Sequence, residues 1–314
     1  MPEKELRNYD IVTYPPADHH YLSAKPVHAA TKFFKAIGKE WRILATSLPE
    51  TILVRVYSTR LDLMRAAIVG AKGTPYSDGL FFFDIFFTGN YPASPPKVHF
   101  RSHGLHMNPN LYSDGRVCLS LLNTWSGRGE EKWTENKSTV LQLLVSLQGL
   151  VLNSEPYFNE PFRFGLFEKL LSSNYKDNIF ELSCKLMIYT LGNPPMDFAD
   201  FVEWHFQGRV HGIVMNFKDH NGGRRSRSRL LCQLVAAFEE NGIRCPPVVD
   251  QVKGELKKFE EKWDTYRMIV KIEPFVVLLS VGVSVFLFII YSFDLDDNGE
   301  GTLDEAKVRK CAVT

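Results

Sequence analysis

Asn108-Pro109-Asn110-Leu111-Tyr112-Ser113-Asp114-Gly115-Arg116-Val117-Cys118-Leu119-Ser120-Leu121-Leu122 sets turn formers ahead of a cysteine and aliphatic residues behind it. Asn, Pro, Ser, Asp and Gly favour turns because they preset φ, tolerate left-handed angles or hydrogen-bond their own backbone. The pattern puts the Cys118 thiol at the end of an irregular loop, held from behind by Leu119, Leu121 and Leu122. Arg116 is close enough in sequence to lower the thiol pKa, although spacing does not fix the direction of its guanidinium. A buried structural cysteine is the commoner fate of a free thiol, and the loop alone leaves both readings open.

Upstream, Thr31–Ser47 has a helical period with Phe33, Phe34, Ile37, Trp41, Leu44 and Ala45 on one face, and Pro49 stops it. Alternating stretches follow at Thr51–Tyr57, Leu63–Val69, Leu80–Thr88 and Lys97–Phe100, joined by short links rich in Gly and Pro. Such links favour an antiparallel meander over crossover connections. Before Thr31, a polar arm with Pro15, Pro16, His19 and His20 shows no apolar period and is read as irregular, the vicinal histidines as loop residues. Downstream, Leu144, Leu147, Gln148 and Val151 mark an amphipathic helix over Leu141–Leu152, ended by Pro156 and Pro161. Further helix is expected at Leu166–Leu171, Ile179–Leu191, Asp197–Arg209 and Gly254–Glu273, with an exposed basic linker over Lys218–Arg229. The fold class is α+β.

Composition narrows the function. Thirty-seven Lys and Arg against 36 Asp and Glu leave a formal charge of +1, so overall charge gives no support to a nucleic-acid partner. With 45% hydrophobic and 23% charged residues the chain is not largely disordered. Five scattered cysteines without a CxxC pair speak against a disulfide scaffold, a zinc ribbon or a thioredoxin motif. The polar stretch Met1–Asp10 excludes a secretory signal peptide, which makes a reduced compartment the expectation.

Several features occur in one fixed order: the helix with Trp41, the turn Gly73-Thr74-Pro75-Tyr76-Ser77-Asp78-Gly79-Leu80-Phe81, and Tyr91-Pro92-Ala93-Ser94-Pro95-Pro96-Lys97-Val98-His99-Phe100. Asn108-Pro109-Asn110 comes next, then Cys118 eight residues after Asn110, then a helix containing Leu143-Leu144-Val145-Ser146-Leu147-Gln148. In this order residues 31–165 resemble the catalytic domain of the ubiquitin-conjugating enzymes. The resemblance implies that family's fold: an N-terminal helix, a four-stranded antiparallel meander and C-terminal helices, here with an added helical C-terminal region. The two-tryptophan insertion Leu122–Trp133 and Glu155-Pro156-Tyr157-Phe158-Asn159-Glu160-Pro161 are similar to the large hybrid enzymes that combine conjugating and ligase character. The arm Asp18-His19-His20-Tyr21 and Asn193-Pro194-Pro195-Met196-Asp197-Phe198 are most similar to the plant members of that subgroup, which are usually longer ahead of the catalytic domain.

The resemblance implies acyl transfer through a thioester on Cys118, which takes ubiquitin from an activating enzyme and yields it to a substrate lysine. Asn110 matches the asparagine that stabilises the oxyanion or braces the loop, and Glu160 falls where the family carries an acidic helper for the incoming amine. Asn108 stands where the family usually has histidine, a departure expected to loosen the loop, and Ser120 stands where many relatives have aspartate. The implied partners are ubiquitin, the activating enzyme, ubiquitin ligases and protein substrates, met along the first helix and the loops Tyr91–Pro96 and Leu122–Ser126. No cofactor or metal is implied, since the activating enzyme uses the ATP.

Nineteen consecutive residues without a charge, Phe275–Phe293, are long enough to cross a bilayer as a helix. Lys257, Lys258, Lys262, Arg267 and Lys271 precede them and Asp294, Asp296 and Asp297 follow, which favours a cytosolic catalytic domain with the tail across the membrane. Asp294–Glu305 only partly satisfies a calcium-loop pattern, with Gly301 where an aliphatic residue is needed, so an acidic solvated tail is expected. The expected organisation is an arm over 1–30, a catalytic domain over 31–165, a helical extension over 166–217 and a basic linker over 218–229. A helical region over 230–273, a transmembrane helix over 274–293 and an acidic tail over 294–314 complete it. The alternatives are a soluble cytoplasmic protein, a catalytically weak scaffold of the same fold, and a membrane-tethered calcium-responsive adaptor.

Overall fold

The computed structural model describes residues 7–27, 31–125, 129–160, 168–220 and 225–245, with short pieces at 247, 249–250, 254, 293–295 and 301–303. Contacts divide the chain into two compact units, Met1–Lys253 and Gly254–Thr314.

In the first unit, strands β1 (Tyr9–Val12), β2 (Ile52–Tyr57), β3 (Leu63–Val69), β4 (Leu80–Phe86) and β5 (Lys97–Phe100) lie in sequence order across one sheet. The last four pair antiparallel as their short links require, while β1 adds to β2 in parallel. The arm is therefore a fifth strand followed by a packed segment, and not wholly irregular as expected. One face of the sheet (Ile52, Val54, Val56, Met64, Ala66, Ile68, Phe81, Phe83, Ile85) enters the main core with α1 (Thr31–Ser47) and α2 (Val140–Ser146). Helix α2 starts on a capping box in which Thr139 accepts from the Gln142 N–H and Gln142 accepts from the Thr139 N–H, then widens to a π-helical turn over Leu147–Val151.

The apolar stripe of α1 differs from its expected form. Phe33, Ile37 and Leu44 are buried, but Phe34 and Ala45 face outward, and Glu40 is buried in line with the core residues. Glu40 accepts from the Tyr91 hydroxyl at 2.8 Å and from the Val140 N–H at 2.9 Å, so one carboxylate ties α1 to the Tyr91–Pro92 loop and to the start of α2. Burial pushes its pKa up, opposed by these two hydrogen bonds.

Alternation along the strands would leave the other sheet face to solvent, yet β2 and β3 are buried at every position. Helices α3 (Glu168–Gly192), α4 (Ala199–His220) and α5 (Arg225–Glu240) follow α2 in the chain. The Asp197–Phe198 stretch between α3 and α4 closes over the outer face together with the arm. Arg65, 0% exposed, donates to Asp84 at 2.6 and 3.1 Å, to Asp18 at 3.0 Å and to Asp197 at 2.7 Å. Tyr57 donates to Asp197 at 2.7 Å, and Phe198 sits under Arg55 and against Phe82. Three carboxylates around one guanidinium thus link arm, sheet and extension.

Two expectations are corrected here. The two helices expected at Leu166–Leu171 and Ile179–Leu191 are one helix over Glu168–Gly192, because no Gly or Pro interrupts residues 172–178. The described residues of the basic stretch 218–229 are helical: α4 runs to His220 and α5 begins at Arg225. Arg227 is buried and pairs with Glu181 at 2.7 Å and Asp177 at 3.0 Å of α3, which explains why the charge does not keep the segment in solvent.

Of the second unit, β6 (Phe293–Leu295) and β7 (Gly301–Leu303) are described, paired antiparallel. The acidic tail, expected to be solvated, thus holds part of a short ribbon. The expected membrane span lies outside the described residues apart from Phe293, as does Gly254–Glu273 apart from Gly254. Among the described residues no helix is long and apolar enough to cross a membrane.

Candidate active site

The loop after β5 is held by its own turn residues. Asn108 is fully buried: its amide donates to the Tyr76 hydroxyl at 2.9 Å and the Val151 carbonyl at 3.0 Å. Its side-chain oxygen accepts from the N–H groups of Asn110 at 2.8 Å and Leu111 at 3.1 Å. The loosening expected from asparagine at this position is therefore corrected, because a side chain with two donors and two acceptor sites uses all four. Asn110 and Cys118 clamp each other: the Cys118 N–H donates to the Asn110 carbonyl, and the Asn110 amide donates to the Cys118 carbonyl, both at 2.9 Å.

Between them the chain turns back at Tyr112–Arg116. The Tyr112 N–H donates to the Arg116 carbonyl and the Gly115 N–H to the Tyr112 carbonyl, both at 3.0 Å, with Gly115 at φ +83°. Past the cysteine, Thr124 folds back as a clasp, accepting from the Leu119 N–H at 2.9 Å and donating to the Val117 carbonyl at 2.9 Å. Leu119 and Leu122 are buried and Leu121 is partly buried, so the aliphatic backing expected for the thiol is present. Cys118 itself is 7% exposed.

Tyr112, which sequence reasoning passed over, is an electrostatic neighbour of the Cys118 thiol. Desolvation, then the neighbouring Cys118, pushes the Tyr112 pKa up and keeps the phenol protonated. The Arg116 guanidinium lies over the Tyr112 ring at 4.2 Å from its centroid and 3.8 Å from Asp114. The signal for Tyr112 was its place two residues past Asn110, at the start of the Tyr112–Arg116 turn that returns the chain to Cys118.

Glu160 is exposed and contributes to a cleft of about 860 Å³ whose walls include Tyr112, Trp125, Tyr175 and Ile179. It lies within electrostatic reach of Tyr112, so it shares the site through that residue. The two tryptophans of the insertion part company: Trp125 lines the cleft, whereas Trp133 is buried and donates to the Pro92 carbonyl at 2.8 Å. Cys184, 1% exposed in α3, has its pKa pushed up by burial and is unsuited to act as a nucleophile.

An irregular loop presenting one cysteine, braced by two asparagines ahead of a capped helix, occupies residues that match the family model described as ubiquitin-conjugating enzyme, over 36–186. The chain carries a ubiquitin-conjugating domain. It is 50% identical over 213 residues to a probable ubiquitin-conjugating enzyme (E2 25) of Arabidopsis thaliana, covering 66% of this chain and 35% of that protein. It is 48% identical over 215 residues to a putative ubiquitin-conjugating enzyme (E2 38) of the same plant, covering 66% of this chain and 65% of the relative. A human protein named as a dual E2 ubiquitin-conjugating enzyme/E3 ubiquitin-protein ligase, BIRC6, is 41% identical over 204 residues, which cover 60% of this chain and 4% of that one. The chain thus spans less than two thirds of these relatives' own lengths. The five-stranded sheet and the helices around it agree with the α+β expectation for the conjugating domain, enlarged by α3–α5.

Proposed function

We propose that this chain is a ubiquitin-conjugating transferase and that Cys118 carries ubiquitin as a thioester. The observation that supports it most is the mutual clamp of Asn110 and Cys118 inside the conjugating domain, which fixes the backbone of one cysteine next to Tyr112, a residue of the cleft wall. The Cys118 thiolate attacks the thioester carbonyl carbon of ubiquitin on the activating enzyme, whose own thiolate leaves. A substrate amine then attacks the new thioester, the Cys118 sulfur departs, and the amine loses its proton as the amide forms. In this reading the Asn110 amide braces the loop through the Cys118 carbonyl and donates toward the developing oxyanion, while Glu160 at the cleft attracts the lysine ammonium. The chain needs no cofactor of its own, ATP being consumed by the activating enzyme, and ligases are engaged through the first helix and the neighbouring loops.

The test is incubation with activating enzyme, ATP and ubiquitin, followed by non-reducing electrophoresis. A thiol-sensitive adduct is expected that disappears in Cys118→Ala, becomes reductant-resistant in Cys118→Ser, and persists when Cys184, Cys232, Cys245 and Cys311 are replaced together. An adduct surviving in Cys118→Ala overturns the site assignment.

The uncharged stretch Phe275–Phe293 supports a second element of the proposal, action at a membrane surface with the catalytic domain in the cytosol. The full chain should then resist alkaline carbonate extraction from membranes and a chain ending at Lys271 should not associate with them. Full extraction by carbonate removes the anchor from the proposal and leaves the transferase reading intact.

A further inference from the structure

One row of side chains crosses the outer sheet face toward the cysteine loop. Asp10, Arg55, Arg65, Asp84 and His99 are successive register partners from β1 to β5, and His99 is bridged in turn to Arg116, two residues before Cys118. Paired residues point to the same face, so the row is continuous.

The N-terminal arm lies on the His99 end of this row. His19 is buried, with Nε2 3.1 Å from the Met64 carbonyl and Nδ1 accepting from the Tyr21 N–H at 3.2 Å. The His20 N–H donates to Asp84 at 2.8 Å, which leaves the His20 ring lying flat on His99, centroids 3.5 Å apart and planes within 2°. His99 in turn covers Gly115 so closely that a Cβ there would meet its Cε1 at 2.0 Å. The Gly115 carbonyl accepts from the Phe100 N–H at 2.7 Å, and its N–H closes the turn onto Tyr112. That turn leads straight into Cys118: the Tyr112 N–H donates to the Arg116 carbonyl at 3.0 Å, and Leu111 is bridged to Val117.

We propose that the N-terminal arm is a strap that positions the nucleophile: His20, stacked on His99, holds that imidazole on Gly115 and so fixes the Tyr112–Arg116 turn against Cys118. His20 and His99 are positioning residues, acting through the turn and touching no reacting atom. Flat rings suit the place, because His99 has to fit over a glycine with no space for a Cβ and still offer a face to the arm. Asp84 and Asp114 are the carboxylates nearest the stack, and burial together with the neighbouring His20 holds the His99 pKa down to about 4, so the rings meet without a charge on His99 at neutral pH. The strap rests on the reading of Cys118 as the acyl carrier, and its test includes an arm that does not.

His20 is exposed, so replacing it does not open the core. In the full-length protein, His20→Ala and His20→Phe are compared by two measurements. One is single-turnover discharge of preloaded ubiquitin to free lysine. The other is the rate at which iodoacetamide alkylates each cysteine of the unloaded protein, read by mass spectrometry. Loss of the stack is expected to slow discharge and to speed Cys118 alkylation, each by about three- to tenfold, while Phe restores both. Cys184, 1% exposed, serves as the internal reference and should stay unreactive throughout. Unchanged Cys118 alkylation in His20→Ala, a parallel rise at Cys184, or failure of Phe to restore the rates overturns the strap. Alkylation requires no ubiquitin, so a chain that fails to load defeats the transferase reading while the strap is still decided.

Discussion

Asn108→Ala is the substitution whose cost the structure sets out most directly. The asparagine is fully buried and its four hydrogen bonds join the cysteine loop to Tyr76 and to the end of the helical turn at Val151. Two of the four partners keep a second bond when it is removed: the Val151 carbonyl also accepts from Asn159 at 3.1 Å, and the Leu111 N–H also donates to the Asn108 carbonyl at 3.1 Å. The Asn110 N–H and the Tyr76 hydroxyl, the latter fully buried, lose the partners they have here. At about 1–3 kcal/mol for each buried polar group left unmet, the loss is roughly 2–6 kcal/mol, a large part of a typical domain's stability. Equilibrium urea denaturation of wild type and variant measures it, and at a slope of about 2 kcal/mol/M the midpoint should fall by roughly 1–3 M. Asn108→His, with one ring donor and one acceptor, should recover part of the loss. A midpoint shift corresponding to less than about 1 kcal/mol would show that the loop relaxes and finds other partners, which refutes the bracing role.

Asn110→Ala should leave thioester loading largely intact and slow lysine transfer by about a hundredfold, the usual cost of one oxyanion donor. Equal slowing of both steps in rapid-quench assays would assign the residue to loop bracing alone. Arg65→Met leaves Asp84 and Asp197 without their shared cation, while Asp18 keeps Arg101 at 2.7 Å, a loss of roughly 3–5 kcal/mol; limited proteolysis should then cut first near Asn193–Phe198, and an unchanged digestion pattern speaks against the hub. Burial holds His99 and His205 down to about 4, so the unfolded chain binds the extra protons. Stability from this source is complete above the ordinary histidine value of about 6.5 and is lost as pH falls from there toward 4. The melting temperature should therefore drop faster with acid in wild type than in His99→Phe/His205→Gln, and parallel curves would count against it.

Local signals determined much of this protein. The helix over Thr31–Ser47, the strands Leu63–Val69 and Lys97–Phe100 and the helix beginning near Leu141 follow from period, Gly and Pro, because short-range sterics and one buried face suffice to define them. The stretch from Asn108 to Leu122 likewise contained its own bracing, since its turn residues bond within the loop or to its immediate supports. Tertiary structure decided the rest. Glu40 is absent from the apolar stripe of its helix and is held in the core by Tyr91 and the start of α2, and Arg227 read as part of a linker until α3 supplied two carboxylates. Arg65, Asp84 and His99 share one face of the sheet, and only the arm and the Asp197–Phe198 stretch, more than a hundred residues apart in sequence, turn that face into an interior. Burial of a charge depends on partners distant in the chain, and no local pattern encodes where they will lie.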